Sequence, residues 1–192
     1  RGLLDILQNM VDMPISWNFY FEYMNRNKKS VAIDLKNPRG VEIIYRLAEN
    51  CHVFVQNFRK GVAERLGLGY EDLKKCNPGI IYATASGYGP DGPDSAEPSF
   101  DYMGLARSGI MNVIGEPDTP PTVIAGGVAD QMGAIILAYG ILAAIVGKER
   151  QGVAQRVDIS HLGSMMHLQG LNVQAGLSLG QGFPKVHRKE AG

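Results

Sequence analysis

The sequence predicts an α/β protein built on a parallel sheet whose faces are covered by helices. Three observations lead there. The apolar run Ser30–Leu35 (SVAIDL), the helically spaced Val41–Asn50 (VEIIYRLAEN) and the apolar run His52–Gln56 (HVFVQ) follow one another in the strand–helix–strand order expected of a parallel sheet with covered faces. A long apolar stretch, Ile124–Lys148, carries no charge from Gln131 to Gly147 and is opened by the pair Gly126-Gly127, so it is expected to be a core helix buried nearly all round. The 192 residues, 45% hydrophobic and 20% charged, can bury a sizeable core as one domain or a large part of one.

Charge narrows the function classes. Lys plus Arg and Asp plus Glu are 19 each, which removes a general electrostatic case for nucleic acid or an anionic membrane surface, so an anionic ligand must be held by local groups. Cys51 and Cys76 have no metal-type spacing and read as reduced thiols of a cytoplasmic protein. No signal peptide or membrane span is expected, because the uncharged run is shorter than the roughly 20 residues a span needs. The chain starts at Arg1 without a methionine and ends in HRKEAG, which suggests a piece of a longer protein.

In chain order, residues 1–23 hold Leu3, Leu4, Ile6, Leu7, Met10 and Val11 at mixed spacing, then the aromatics Trp17, Phe19, Tyr20, Phe21 and Tyr23, read as the packing of a long surface loop. Asn25–Lys29 (NRNKK) is a basic turn leading into a strand candidate, Ser30–Leu35 (SVAIDL), with Lys36 at its end. The flanking basic groups are either a solvated loop or a means of neutralising phosphate. Asn37-Pro38-Arg39-Gly40 turns the chain into the first helix. Asn57, Phe58, Arg59 and Lys60 stand just past the C-terminal end of the next strand, where open α/β sheets bind ligands. Gly61–Gly67 and Tyr70–Cys76 read as short helices before the strand Ile80–Ala85.

Gly87–Gly92 (GYGPDG) matches G-x-G-x-x-G, but Pro90 and Pro93 interrupt it and no apolar helix follows, so a dinucleotide fingerprint is rejected. Phe100–Ile114 is expected to be one helix, Gln155–Ser160 a strand and His161–Leu179 a second long helix. His161 and His167, six apart, do not share a helix face for a metal, and a structural role is assigned to both. Asp130 is the single carboxylate at the mouth of the central helix. It is either an acid satisfying free N–H groups of the first turn or a nucleophile.

Several segments together resemble one family, the class III coenzyme A transferases, which also contains the α-methylacyl-CoA racemases. They are Asn25–Ser30 with Ile33-Asp34-Leu35-Lys36, Val55–Phe58, Gly61–Gly67, Ser86–Gly89, Phe100-Asp101, Gly104–Gly109, Ala129-Asp130 and Val157–Ser160. The pieces run in order from about Asn25 to His161, and their order and spacing carry the resemblance.

The resemblance implies a Rossmann-like parallel sheet flanked by helices, this chain being the middle of the large CoA-binding domain. A first strand and helix and the small domain would lie outside it. It further implies an interlocked homodimer or related heterodimer, with coenzyme A and acyl-CoA as substrates, free carboxylic acids as acceptors and no metal. It places the nucleophile on Asp130 and CoA binding on Ile33, Lys36, Asn57, Phe58, Arg65 and Phe100, with Arg59 and Lys60 as further phosphate candidates. Ser86 stands where some members carry a basic residue, which implies one phosphate contact fewer. Two other readings are an α-methylacyl-CoA racemase and a catalytically silent CoA-binding subunit. Phe100 argues against the first, because the racemases carry at the matching position a histidine that shares proton transfer with the aspartate.

Overall fold

The computed structural model describes residues 19–190, which fall into two units divided between Ile33 and Asp34. The first contributes helix α1, Phe19–Asn25, and an irregular segment after it. The apolar residues before Phe19, Trp17 of the aromatic cluster, and Ala191 and Gly192 lie outside the described residues.

The second unit runs α2 (Pro38–Glu49), β1 (Val53–Gln56), α3 (Val62–Arg65), α4 (Tyr70–Cys76), β2 (Ile81–Ser86), α5 (Asp101–Arg107), α6 (Ile110–Val113), α7 (Val128–Gln151), β3 (Arg156–Ser160), α8 (His161–Leu168) and α9 (Gly170–Leu179). The three strands form a parallel sheet in the order β1-β2-β3, with Phe54 opposite Tyr82 and Tyr82 opposite Arg156. Parallel pairing follows from the crossovers, since each strand is reached through helix and loop rather than a hairpin. Helix α2 starts at Pro38 because Asn37 accepts the Arg39 N–H in its side chain and proline suits the first helical position.

The sheet's two faces meet different neighbours. On one, Tyr82 joins Ala48, Leu68, Leu73 and Ile80 in an apolar cluster with α2 and α4. Its ring lies against Phe54 and Tyr70, and its hydroxyl donates to Leu68 O at 2.9 Å. Burial pushes the Tyr82 phenol up. On the other face α7 packs across β2 and β3.

Four expectations are corrected. Ser30–Leu35 is not a strand: at Asp34 the side chain accepts from Lys36 N and the carbonyl from Asn37 N, so the chain turns there instead of offering a ladder edge. The expected helix Phe100–Ile114 is two, broken at Gly109, whose φ of +79° leaves the helical region. The helix expected from His161 to Leu179 is also two, broken at Gln169, whose side-chain amide donates to Ser108 O at 2.5 Å and ties that residue to the turn between α5 and α6.

The fourth concerns α7. It extends to Gln151, Lys148 and Arg150 falling in its last turn, where cations suit the helix dipole. It is not buried all round: the buried residues are Ala129, Gly133, Leu137 and Ala144, while Ile135, Tyr139, Leu142 and Val146 are exposed. Both sets recur at spacings of three, four or seven, so the faces differ in side-chain size rather than polarity, a distinction hydropathy does not register. By length and hydropathy alone α7 could cross a membrane. In this chain it is the helix on which β2, β3, α5 and α8 converge.

Candidate active site

Small residues bring α7 close to its neighbours. A Cβ on Gly140 would stand 2.8 Å from Val157 Cγ1, and one on Gly104 would stand 3.0 Å from both Ala129 Cβ and His161 Cβ. The N-terminus of α7 is thereby pressed against α5 and the start of α8. Gly126 and Gly127 turn the chain into the helix with φ of +97° and +73°, as their sequence position suggested.

The free N–H groups at that end are taken by a residue that sequence reasoning did not single out. Asp101 Oδ1 accepts from Ala129 N at 2.7 Å and Asp130 N at 3.1 Å. The cap of α7 is therefore supplied across space by Asp101. Asp130 is relieved of that task. Its carboxylate is 57% exposed, and Oδ1 lies 3.0 Å from His161 Nε2.

His161, weighed in the sequence only against His167, is the first residue of α8, directly past the C-terminal end of β3, and it touches Asp130. Ser160 caps the helix by accepting Gly163 N at 2.9 Å, which fixes the turn that carries the imidazole. On its far side Nδ1 lies 3.2 Å from Ser99 Oγ. The strand-end rule that drew attention to Asn57 would also have selected His161. No sequence signal connects Asp101 with a helix beginning 27 positions later.

Beside this pair opens a cavity of about 250 Å³ whose lining includes Asn57, Phe58, Ser86, Ser99, Phe100 and His161. Arg59 and Lys60 line it too. Lys60 Nζ donates to Pro90 O at 2.7 Å and Ser95 Oγ at 2.8 Å, whereas the Arg59 side chain makes no hydrogen bond or ion pair among the described residues. Ser86 Oγ donates to Ile159 O and accepts from Gly89 N, so its hydroxyl holds the loop after β2. Residues 87–99 contain no helix, consistent with rejecting a dinucleotide fingerprint.

Of the residues that the resemblance placed in CoA binding, Asn57, Phe58 and Phe100 meet at this cavity, with Asp130 next to its His161 wall. Lys36 and Arg65 are exposed and do not contribute to the lining. Ile33 belongs to the first unit. The arrangement offers an exposed carboxylate with one oxygen held, a polar and aromatic cleft beside it, and a guanidinium at the cleft's edge. Such a set can perform acyl chemistry on a ligand carrying negative charge.

The model for CoA-transferase family III matches residues 5–191. The chain is 38% identical over 154 residues to the acetyl-CoA:oxalate CoA-transferase of Acetobacter aceti, covering 79% of this chain and 40% of that protein. It is 40% identical over 148 residues to the succinyl-CoA:glutarate CoA-transferase of Mus musculus, covering 77% and 34%. The crystal structure of a CAIB/BAIF family protein from Brucella suis superposes with a TM-score of 0.83 at 30% identity, over 88% of this chain and 44% of that one. The chain spans between about a third and two fifths of the length of these curated relatives.

Proposed function

Since the chain belongs to CoA-transferase family III, we propose that the protein it is part of moves coenzyme A from an acyl-CoA thioester to a free carboxylic acid, with Asp130 as nucleophile. The observation that carries this reading is the division of labour at the mouth of α7. Asp101 satisfies the helix N–H groups, which leaves the Asp130 carboxylate exposed beside a cleft. An acid kept only for capping would not need a second acid to do the capping.

The chemistry divides one exchange into balanced steps. An Asp130 oxygen attacks the thioester carbonyl; a C–O bond forms, the C–S bond breaks, and CoA leaves as thiolate, giving a mixed anhydride. The thiolate attacks the Asp130 carbonyl carbon and expels the donor acid as carboxylate, leaving an aspartyl-CoA thioester. The acceptor carboxylate displaces the thiolate to form a second anhydride. Thiolate attack on the acceptor's carbonyl then yields the new acyl-CoA and restores Asp130. Asn57 and Phe58 line the cleft at the strand ends, which supports a role in holding CoA, and Arg59 beside them supports a phosphate contact. Lys36 and Arg65 are assigned to CoA by the resemblance alone, as is Ile33.

The relatives named above act on oxalate and glutarate, which favours a small carboxylic acid as acceptor. The exposed stripe of Ile135, Tyr139, Leu142 and Val146 supports an assembly in which α7 is covered further, as in an interlocked homodimer or related heterodimer. A cytoplasmic location is inferred from the two cysteines, Cys51 and Cys76, neither of them in a disulfide.

The test uses the full-length protein with acyl-CoA and hydroxylamine. Mass spectrometry should find the hydroxamate on Asp130, and Asp130→Ala should lower turnover by about 10⁴-fold or more. Ordinary turnover in that variant would remove Asp130 from the mechanism, and failure of the unmodified protein to react would favour a silent subunit.

The His161–Asp130 pair gives one reason to keep the racemase reading: it supplies two adjacent groups able to hold a proton despite the phenylalanine at position 100. Deuterium entering the α-position of a 2-methylacyl-CoA in deuterated water, without CoA transfer to added acids, would select it. We expect transfer without exchange.

A further inference from the structure

His161 has features that orienting a carboxylate alone does not require. The imidazole has close neighbours on α5 and in the loop after β2. Gly104 lets its Cβ approach α5, and Ser99 meets Nδ1 at 3.2 Å. Ser99 itself reaches that position only because residue 87 is glycine, since a Cβ there would collide with the Ser99 side chain. The side chain of His161 is 21% exposed, against 57% for Asp130.

The proton can be assigned from chemistry. An ionised carboxylate only accepts hydrogen bonds, so Nε2, 3.0 Å from Asp130 Oδ1, carries the proton whether the ring is neutral or charged. In the neutral ring Nδ1 is bare, and the Ser99 hydroxyl can donate to it. One Asp130 oxygen is thus engaged by a donor, and Oδ2 is left as the attacking atom.

We propose that His161 Nε2–H is the oxyanion donor for every step in which the Asp130 carbonyl carbon is attacked, with Ser99 holding the ring from its Nδ1 side. The inference rests on the transferase reading. Once Oδ2 is acylated, Oδ1 becomes the carbonyl oxygen of the anhydride and later of the aspartyl-CoA thioester. Attack by CoA thiolate on that carbon forms a C–S bond and moves the π electrons onto Oδ1, where Nε2–H already points. Collapse returns the pair and expels the carboxylate. The first step differs, because attack on the substrate's thioester builds its negative charge on the substrate oxygen, away from His161. A donor lined up in advance is worth about 10²–10³-fold in rate at the step it serves.

That asymmetry is measurable in the full-length protein by two readouts. Acyl hydroxamate formed from acyl-CoA and hydroxylamine in excess of the enzyme-free reaction of the thioester reports the first anhydride. The aspartyl-CoA adduct, acid-quenched and weighed by mass spectrometry in the absence of acceptor, reports attack on Asp130. His161→Ala should slow the adduct about 10²–10³-fold while acyl hydroxamate forms within a fewfold of the normal rate and KM for acyl-CoA holds. His161→Gln keeps an N–H donor at a similar reach and should recover most of the loss. Ser99→Ala should show the same asymmetry with a smaller slowing. Equal slowing of both readouts in His161→Ala, or no recovery with glutamine, would overturn the proposal while leaving Asp130 as nucleophile. Absence of both products with the unmodified protein would overturn the transferase reading and this inference with it.

Discussion

Around Tyr82 the sheet meets α2 and α4 through large side chains, whereas α7 meets β3, α5 and α8 through glycine and alanine. Leu68, Leu73, Ile80 and Tyr82 are almost wholly buried and fill the first region. The second holds Leu105, Ile110, Ala129 and Met165, with Gly104, Gly133 and Gly140 at the contacts where elements cross. Burying bulk yields stability roughly in proportion to the apolar area removed from water. Removing bulk yields closeness instead, and the groups brought close are Asp101, Asp130, Ser99 and His161. One region is built to hold the unit together and the other to set distances.

Substitutions should separate the two roles. Leu73→Ala, at a site with no solvent exposure, should cost about 2–5 kcal/mol by urea unfolding and leave the kcat of the folded fraction unchanged. A matching fall in kcat would erase the distinction. Gly104→Ala inserts a Cβ 3.0 Å from two neighbours that carry the site, so it should cost about 1–3 kcal/mol and lower kcat about 10²-fold. Unaltered kcat there would mean that the close approach serves packing only.

Asp101→Ala should cost about 0.5–2 kcal/mol by removing the acceptor for Ala129 N and Asp130 N. Asp101→Asn retains an acceptor oxygen and should restore much of that stability in thermal unfolding. The smallest effect lies outside both regions. Arg188, with His187, holds the Glu116 carboxyl below its usual value of 4.5, so the contribution of this contact is full above about pH 4.5 and fades as pH falls through the lower folded value. The amide-exchange protection of residues 183–189, taken relative to the intrinsic rate at each pH, should therefore decline as pH falls below about 4.5.

The strands at His52–Gln56 and Ile80–Ala85, the glycine turn into α7 and the place of Asp130 at the mouth of that helix were legible in the sequence because each depends on local pattern, whereas the strand expected at Ser30–Leu35 was not formed. Less was legible where a residue's role depends on a distant partner. Asp101 looked like an ordinary first-turn acid of its own helix, and only the fold shows whose N–H groups it meets. His161 was dismissed by counting residues to His167, although its contacts come from α7 and from Ser99. The breaks at Gly109 and Gln169 were hidden because apolar spacing continues across them. The orientation of α7 was hidden because both faces are apolar and differ in volume.

That volume code turns α7 into a gauge. Ala129, Gly133, Leu137, Gly140 and Ala144 rest on the sheet side of the helix, and Gly140 stands about 15 Å along the axis from Asp130 at ~1.5 Å per residue. A methyl group added at Gly140 would act as a shim under the middle of a stiff rod, against Val157. The end that carries Asp130 would shift with it, and so would the reach of Asp130 toward whatever occupies the cleft. Because a displacement near 1 Å can cost about 10²-fold in rate, the activity should respond to substitutions two turns or more away in proportion to their thickness, much as an instrument drifts when its footing is changed.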